Sequence, residues 1–157
     1  NELNRVRVII AGKGPLLNSL QGYVSDNHLK HVVRFLGFVS EEEKPDLLAS
    51  ADIAVFPSTG GESFGIVLIE AMAAGAGVVL AGNNKGYSSV MRARKQQIFD
   101  PKNTKQFANV LRHYLNNQRA RKQSYRWQME YVAQFDVRSV GSRLIDTYES
   151  VIANTDR

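Results

Sequence analysis

Apolar residues come along this chain in two rhythms. Four short runs, VRVIIA at 6–11, VVRFLG at 32–37, DIAVFP at 52–57 and GVVLAG at 77–82, are nearly continuous Val, Ile, Leu, Phe and Ala. Runs of that length without alternation are expected of strands buried on both faces. They predict strands at Val6–Ala11, Val33–Leu36, Ile53–Pro57 and Val78–Ala81, with a shorter one near Gln97–Phe99. The segments between them carry helical spacing and predict helices at Pro15–Val24, Glu42–Ala49, Gly65–Ala74, Asn103–Leu115, Gln118–Gln134 and Val137–Ala153. Pro15 suits a first helical turn. Strand alternating with helix argues for an α/β fold, a parallel sheet covered on both faces. The last helix has apolar residues at 137, 140, 144, 145, 148, 151 and 152, a helical stripe that needs something to cover it.

One helix breaks the amphipathic rule. From Gly65 to Ala74 every residue is apolar or glycine except Glu70, so the helix is expected to be buried. A carboxylate on a buried helix costs several kcal/mol, on the order of other polar-burial penalties, unless something satisfies it. Glu62 precedes it by eight positions, in the loop before the helix. The first N–H groups of such a helix are free and carry about half a positive charge, which suits phosphate. Glu70 would lie about 8 Å along the helix at 1.5 Å per residue. An anion at the helix end would then have one carboxylate on either side. A nucleotide diphosphate sugar has that shape, and carboxylates accept hydrogen bonds from sugar hydroxyls. Gly60, Gly61 and Gly65 would let a ligand approach the backbone. The alternative is purely structural: Glu62 solvated in its loop, and Glu70 paired with a distant cation.

In a fold of this class ligands sit beyond the carboxyl ends of the strands. The turns at 12–14, 37–41 and 82–87 lie at that edge with the 57–65 loop. The GKG turn at 12–14 is explained equally by a tight strand-to-helix connection or by room for a ligand. Asn84, Lys85 and Gly86 either approach a bound sugar or a partner domain, or form a capped turn before a short helix.

Composition narrows the class. The apolar fraction of 43% is enough for a core. At 157 residues the chain fits one domain. No apolar run reaches 18 residues and no signal-peptide pattern opens it, so a cytoplasmic setting is expected. Absence of cysteine excludes disulfide and thiolate chemistry within these residues. His28, His31 and His113 lack metal-ligand spacing, and no metal is expected. The net charge of +5 comes largely from MRARK at 91–95 and RARKQSYR at 119–126. These clusters are either solvated helix faces or contacts to anionic lipid; no nucleic-acid motif accompanies them. Trp127, Tyr125, Met129 and Tyr131 are neighbours that point in different directions on a helix, which favours core packing.

The run ESFGIVLIEAMAAG at 62–75, Glu, seven residues, Glu, resembles the donor-site motif of family 4 retaining glycosyltransferases, enzymes of the GT-B type built from two Rossmann-like domains. AGKGP at 11–15, FLGFVSEEE at 35–43 and ADIAVFPS at 51–58 resemble the family's glycine-rich turn, next strand and loop, and the strand leading into the motif. Within the family the likeness is strongest to phosphatidylinositol mannosyltransferases and their relatives. The resemblance implies a Rossmann-like, doubly wound parallel sheet: part of the C-terminal, donor-binding GT-B domain. The parent enzyme would move a sugar, mannose, from a nucleotide-sugar donor with retention of configuration, without metal or other cofactor. By the same likeness Glu62 would contact the transferred sugar and Glu70 the ribose hydroxyls. The backbone amides of Phe64, Gly65, Ile66 and Val67 would hold sugar and diphosphate. Gly12 and Gly14 would leave room for the donor, and Val39, Glu41 and Lys44 would lie beside the base. Lys13 departs from the acidic residue expected there. A carboxylate can accept both the ring N–H and the amino group of guanine, which tilts the donor toward GDP over UDP. Members of the family also have an Arg and a Lys in an earlier strand-to-helix loop, and an acceptor-binding N-terminal domain; neither is in this sequence. The rival reading from another class is a nucleotide-binding or interaction module without catalysis. Peripheral contact with the inner face of a membrane would follow from a lipid acceptor.

Overall fold

A computed structural model of the chain describes residues 6–155, which fall into two compact units, 6–44 and 45–155. In the first unit, strand β1 (Val8–Ala11) leads through the glycine turn to helix α1 (Leu17–Asp26) and strand β2 (Val33–Gly37). The two strands pair in parallel, Val8 opposite Val33 and Ile10 opposite Phe35. Pro15 does not open the helix. It lies in the preceding turn, where the Leu17 N–H donates to the Gly14 carbonyl at 3.1 Å. The helix ends on His28 at φ 55°, with the His28 N–H on Ser25 and the Leu29 N–H on Val24. That is a Schellman stop with histidine in place of the usual glycine, and it gives His28 a structural task. The expectation of a strand buried on both faces fails for β1: Val8 and Ile9 are exposed.

The second unit opens with helix α2 (Lys44–Ala49), which begins at the boundary between the two. Strand β3 (Ala54–Phe56), helix α3 (Ile66–Ala73), strand β4 (Val79–Gly82), helix α4 (Lys85–Val90) and strand β5 (Ile98–Phe99) follow. Helices α5 (Thr104–Asn116), α6 (Gln118–Val132) and α7 (Val137–Thr155) complete it. The strands pair in parallel in the order β3, β4, β5. The parallel pairing is as the sequence predicts, but the ladder comes in two pieces, β1 with β2 and β3 to β5. Central β4 is buried along its whole length. On one face it packs with α3, through Leu68, Ala71 and Met72, and with Tyr87 and Val90 of α4. Leu80 and Phe99 pack with Tyr114 of α5 in a second cluster.

Helices α4, α5 and α6 each start on an asparagine whose side chain accepts a backbone N–H at 2.9 Å: Asn84 from Tyr87, Asn103 from Gln106 and Asn117 from Ala120. Each such cap contributes about 1 kcal/mol. Two glutamines finish the sheet. Strand β5 begins opposite Ala81, so Val79 has no strand partner on that side. Gln97 donates to the Val79 carbonyl at 2.8 Å, and Gln128 accepts the Val79 N–H at 2.9 Å while donating to Ala76 at 3.0 Å. Helix α7 has its entire predicted stripe, from Val137 to Ile152, exposed. Among the described residues no helix is long and apolar enough to cross a membrane.

Candidate functional site

The Glu62–Glu70 segment sits where β3 runs out into its loop and the chain turns into α3. Gly65 makes the turn. At φ 100° it occupies the left-handed region, and a Cβ there would lie 2.7 Å from Cδ1 of Tyr87. Only glycine meets both conditions. Beyond it, the N–H groups of Phe64, Gly65, Ile66 and Val67 donate to no group among the described residues, as the geometry of a helix start requires. The four amides named from the resemblance are thus free. Phe64 and Ile66 are 45% and 63% exposed, whereas Leu68, Ile69, Ala71 and Met72 are buried. The expectation of a fully buried helix is corrected: its first turn, with its open donors, faces outward.

Glu70, in the second turn of α3, is half-buried, not enclosed, and it interacts within the chain. The expectation that its burial demands a bound ligand is therefore withdrawn. Glu62 is half-buried too, and its Oε1 accepts a hydrogen bond from the Tyr87 hydroxyl at 3.2 Å. Burial, then the negative charge of Glu62 and this hydrogen bond, push the Tyr87 phenol up to about 12.

The 82–87 turn acts as the mould of the loop. Asn84 donates from Nδ2 to the Ser58 carbonyl at 3.1 Å while its Oδ1 caps α4. A Cβ on Gly82 would collide with the Ser58 carbonyl, and one on Gly86 with the Glu62 carbonyl. Ser58 in turn donates to the Gly60 carbonyl at 2.9 Å. Of the two alternatives open in the sequence for Asn84, Lys85 and Gly86, the capped turn is present, and Asn84 and Gly86 also hold the loop that carries Glu62. Sequence reasoning missed Tyr87. Its one legible signal was its place three residues after a capping asparagine. From the other side the loop meets an aromatic ladder: Trp127 stacks on Tyr131 at 4.7 Å, Tyr131 meets Phe135 at 5.4 Å and Phe135 meets Phe64 at 6.0 Å. The expected core packing of Trp127 and Tyr131 is present, whereas Tyr125 and Met129 are exposed.

The remaining predicted residues belong to the first unit. Gly12, at φ 126°, needs to be glycine for its conformation, and its N–H donates to Gly37 at 2.6 Å. Neither conformation nor crowding demands glycine at Gly14, where a Cβ would meet open space. The Lys13 ammonium lies 5.7 Å from the centre of the Phe38 ring. Val39 is half-buried. Ser40 and Glu43 form a reciprocal capping box at 3.2 Å before α2. Glu41 and Lys44, expected beside a base, form an ion pair with each other at 2.6 Å. The 91–95 and 119–126 clusters meet elsewhere, where Arg94, Arg119, Lys122 and Arg126 line a concavity of about 620 Å³ with Trp127. Arg94 rests 5.0 Å over that indole. No residue of the 62–70 segment lines it.

The segment thus presents an outward-facing helix start flanked by two glutamates, on a parallel α/β unit. Residues 1–128 match the family Glycosyl transferases group 1. The chain belongs to that family. A phosphatidyl-myo-inositol mannosyltransferase of Mycobacterium leprae is 34% identical over 149 residues, 93% of this chain and 38% of that protein. The enzyme of the same name from Propionibacterium freudenreichii is 52% identical over 59 residues, 38% of this chain and 15% of its own length. Among solved structures, Anabaena Alr3699/HepE, in complex with UDP and glucose, superposes with a TM-score of 0.76 at 23% identity, over 93% of this chain and 41% of that one. Sucrose-phosphate synthase from Thermosynechococcus elongatus superposes with a TM-score of 0.75, also at 23% identity, over 94% and 39%. The fold is that of the GT-B glycosyltransferases, and the chain spans about two-fifths of the first of these relatives and of both structures.

Proposed function

We propose that this chain is the donor-binding part of a retaining glycosyltransferase that moves mannose from a GDP-sugar to an acceptor held by another domain. The observation that carries the reading is the start of α3, four unpartnered N–H groups between Glu62 and Glu70. The amides and the helix dipole would take the diphosphate, Glu62 the sugar hydroxyls and Glu70 those of the ribose. Catalysis at such a site is mostly positioning together with stabilisation of the departing diphosphate. Names of the relatives support mannose as the sugar.

A UDP donor is the second reading. Glu41, the residue that would select guanine, is engaged by Lys44, and the Anabaena protein is described with UDP. Calorimetric titration with GDP, UDP and GDP-mannose separates the two, with Glu70→Gln as control. GDP is expected to bind more tightly than UDP, and the substitution to weaken both. A preference for UDP would reassign the donor, and no binding by the full-length protein at millimolar ligand would refute a donor site.

A further inference from the structure

We propose that Tyr87 is a positioning residue for Glu62: its hydroxyl holds one carboxylate oxygen, so that the other is presented to the sugar of the bound donor. The inference rests on the donor-site reading above, to which it adds a residue that the Glu-seven-Glu motif does not contain.

Tyr87 is unusually constrained for a residue on a short helix. Its N–H is bound by the Oδ1 of Asn84, and the Nδ2 of the same asparagine is bound to Ser58 in the Glu62 loop. The next residue back, Gly86, lies so close to the Glu62 carbonyl that no side chain fits. The phenol ring takes the space a side chain at position 65 would need, and the residue is only 3% exposed. Backbone, ring and hydroxyl of Tyr87 are therefore all tied to the segment that carries Glu62.

The hydroxyl points the same way. At 3.2 Å from Oε1 it is longer than the usual O–H···O separation of about 2.7–2.8 Å. A phenol is protonated at physiological pH, and burial beside Glu62 pushes this one further from ionising, so towards a carboxylate it acts as a donor. A glutamate on a loop would otherwise sample several rotamers, and restricting it in advance lowers what binding must spend on ordering it. Oε2 and the second lone pair of Oε1 are left for ligand hydroxyls.

A merely structural tyrosine would matter only for its ring, and Tyr87→Phe keeps the ring. The test titrates full-length wild type and Tyr87→Phe with GDP and GDP-mannose, and with UDP and UDP-glucose as the second pair. The readout is the ratio of diphosphate Kd to nucleotide-sugar Kd. We expect the diphosphate Kd to stay within about twofold and the nucleotide-sugar Kd to weaken about two- to tenfold, the range of an ordinary hydrogen bond. In a Glu62→Ala background the same substitution should leave the ratio unchanged, because the group it positions is gone. If Tyr87→Phe proves unstable, Tyr87→His, with a ring N–H as replacement donor, is compared with Tyr87→Leu, and only the former should retain part of the ratio. Equal weakening of diphosphate and nucleotide-sugar, no change in either, or a persisting effect without Glu62 would overturn the positioning role and leave the donor site standing. A wild type that binds neither pair would overturn both.

Discussion

At the scale of single residues, what matters around the glutamates is what cannot be changed. Gly65 has its conformation and its space prescribed, Gly86 its space, and Tyr87 fills the gap that Gly65 leaves. The glutamates and Gly65 were legible in the sequence, because a carboxylate in an apolar helix and a glycine before it are local signals. Tyr87 was not, since its bond to Glu62 spans 25 positions and no local pattern encodes it. Its phenol gives a pH prediction. The folded pKa of about 12 lies above the ordinary phenol's 10, so the stabilisation from the neutral phenol is complete below pH 10 and is lost as pH rises towards 12. Two pH units correspond to about 2–3 kcal/mol at most. Denaturant unfolding of wild type and Tyr87→Phe between pH 9 and 12 should show wild type losing the larger amount. Parallel curves would mean that Tyr87 ionises as freely in the folded protein as in the unfolded chain.

Among elements, the strands and helices fell within a few residues of their predicted places, and the misses have physical causes. The helix expected from Pro15 starts at Leu17 because the Gly14 carbonyl closes a turn first. Helix α4 was legible only as one alternative, a capped turn before a short helix. Six residues are too few to show a period, and its asparagine cap was the stronger signal. The roles of the two glutamines were missed: Gln128 because a polar residue in a helix pattern reads as solvent-facing, and Gln97 because it stood at the edge of a predicted strand. Yet Gln128 is 0% exposed, because β5 stops short of Val79 and a side chain must complete the ladder. Gln128→Leu keeps much of the volume and leaves the Val79 N–H and the Ala76 carbonyl unpaired. At about 1–3 kcal/mol for each buried group, we expect a loss of about 2–4 kcal/mol, measurable by urea unfolding. A loss below 0.5 kcal/mol, on the order of an ordinary surface substitution, would show that water replaces the glutamine.

For the whole molecule, the stripe on α7 and the outer residues of β1 leave apolar surface uncovered among the described residues. We predict that the 157-residue chain alone transfers no sugar. A form that also carries the proposed acceptor domain should transfer sugar and bind GDP more tightly. Sugar transfer by the short chain would count against an acceptor held by another domain. By itself the sequence determined the α/β class, the Glu-seven-Glu motif and the family, because period, composition and a contiguous motif are written in neighbouring residues. Only the tertiary structure decided which part of α3 faces outward, that Glu41 is taken by Lys44, and that Asn84, Gly86 and Tyr87 shape the loop of Glu62. Most of those facts depend on segments brought together by the packing of α3 and α4 on β4, and the Glu41 pair on one of several side-chain arrangements open to an exposed carboxylate.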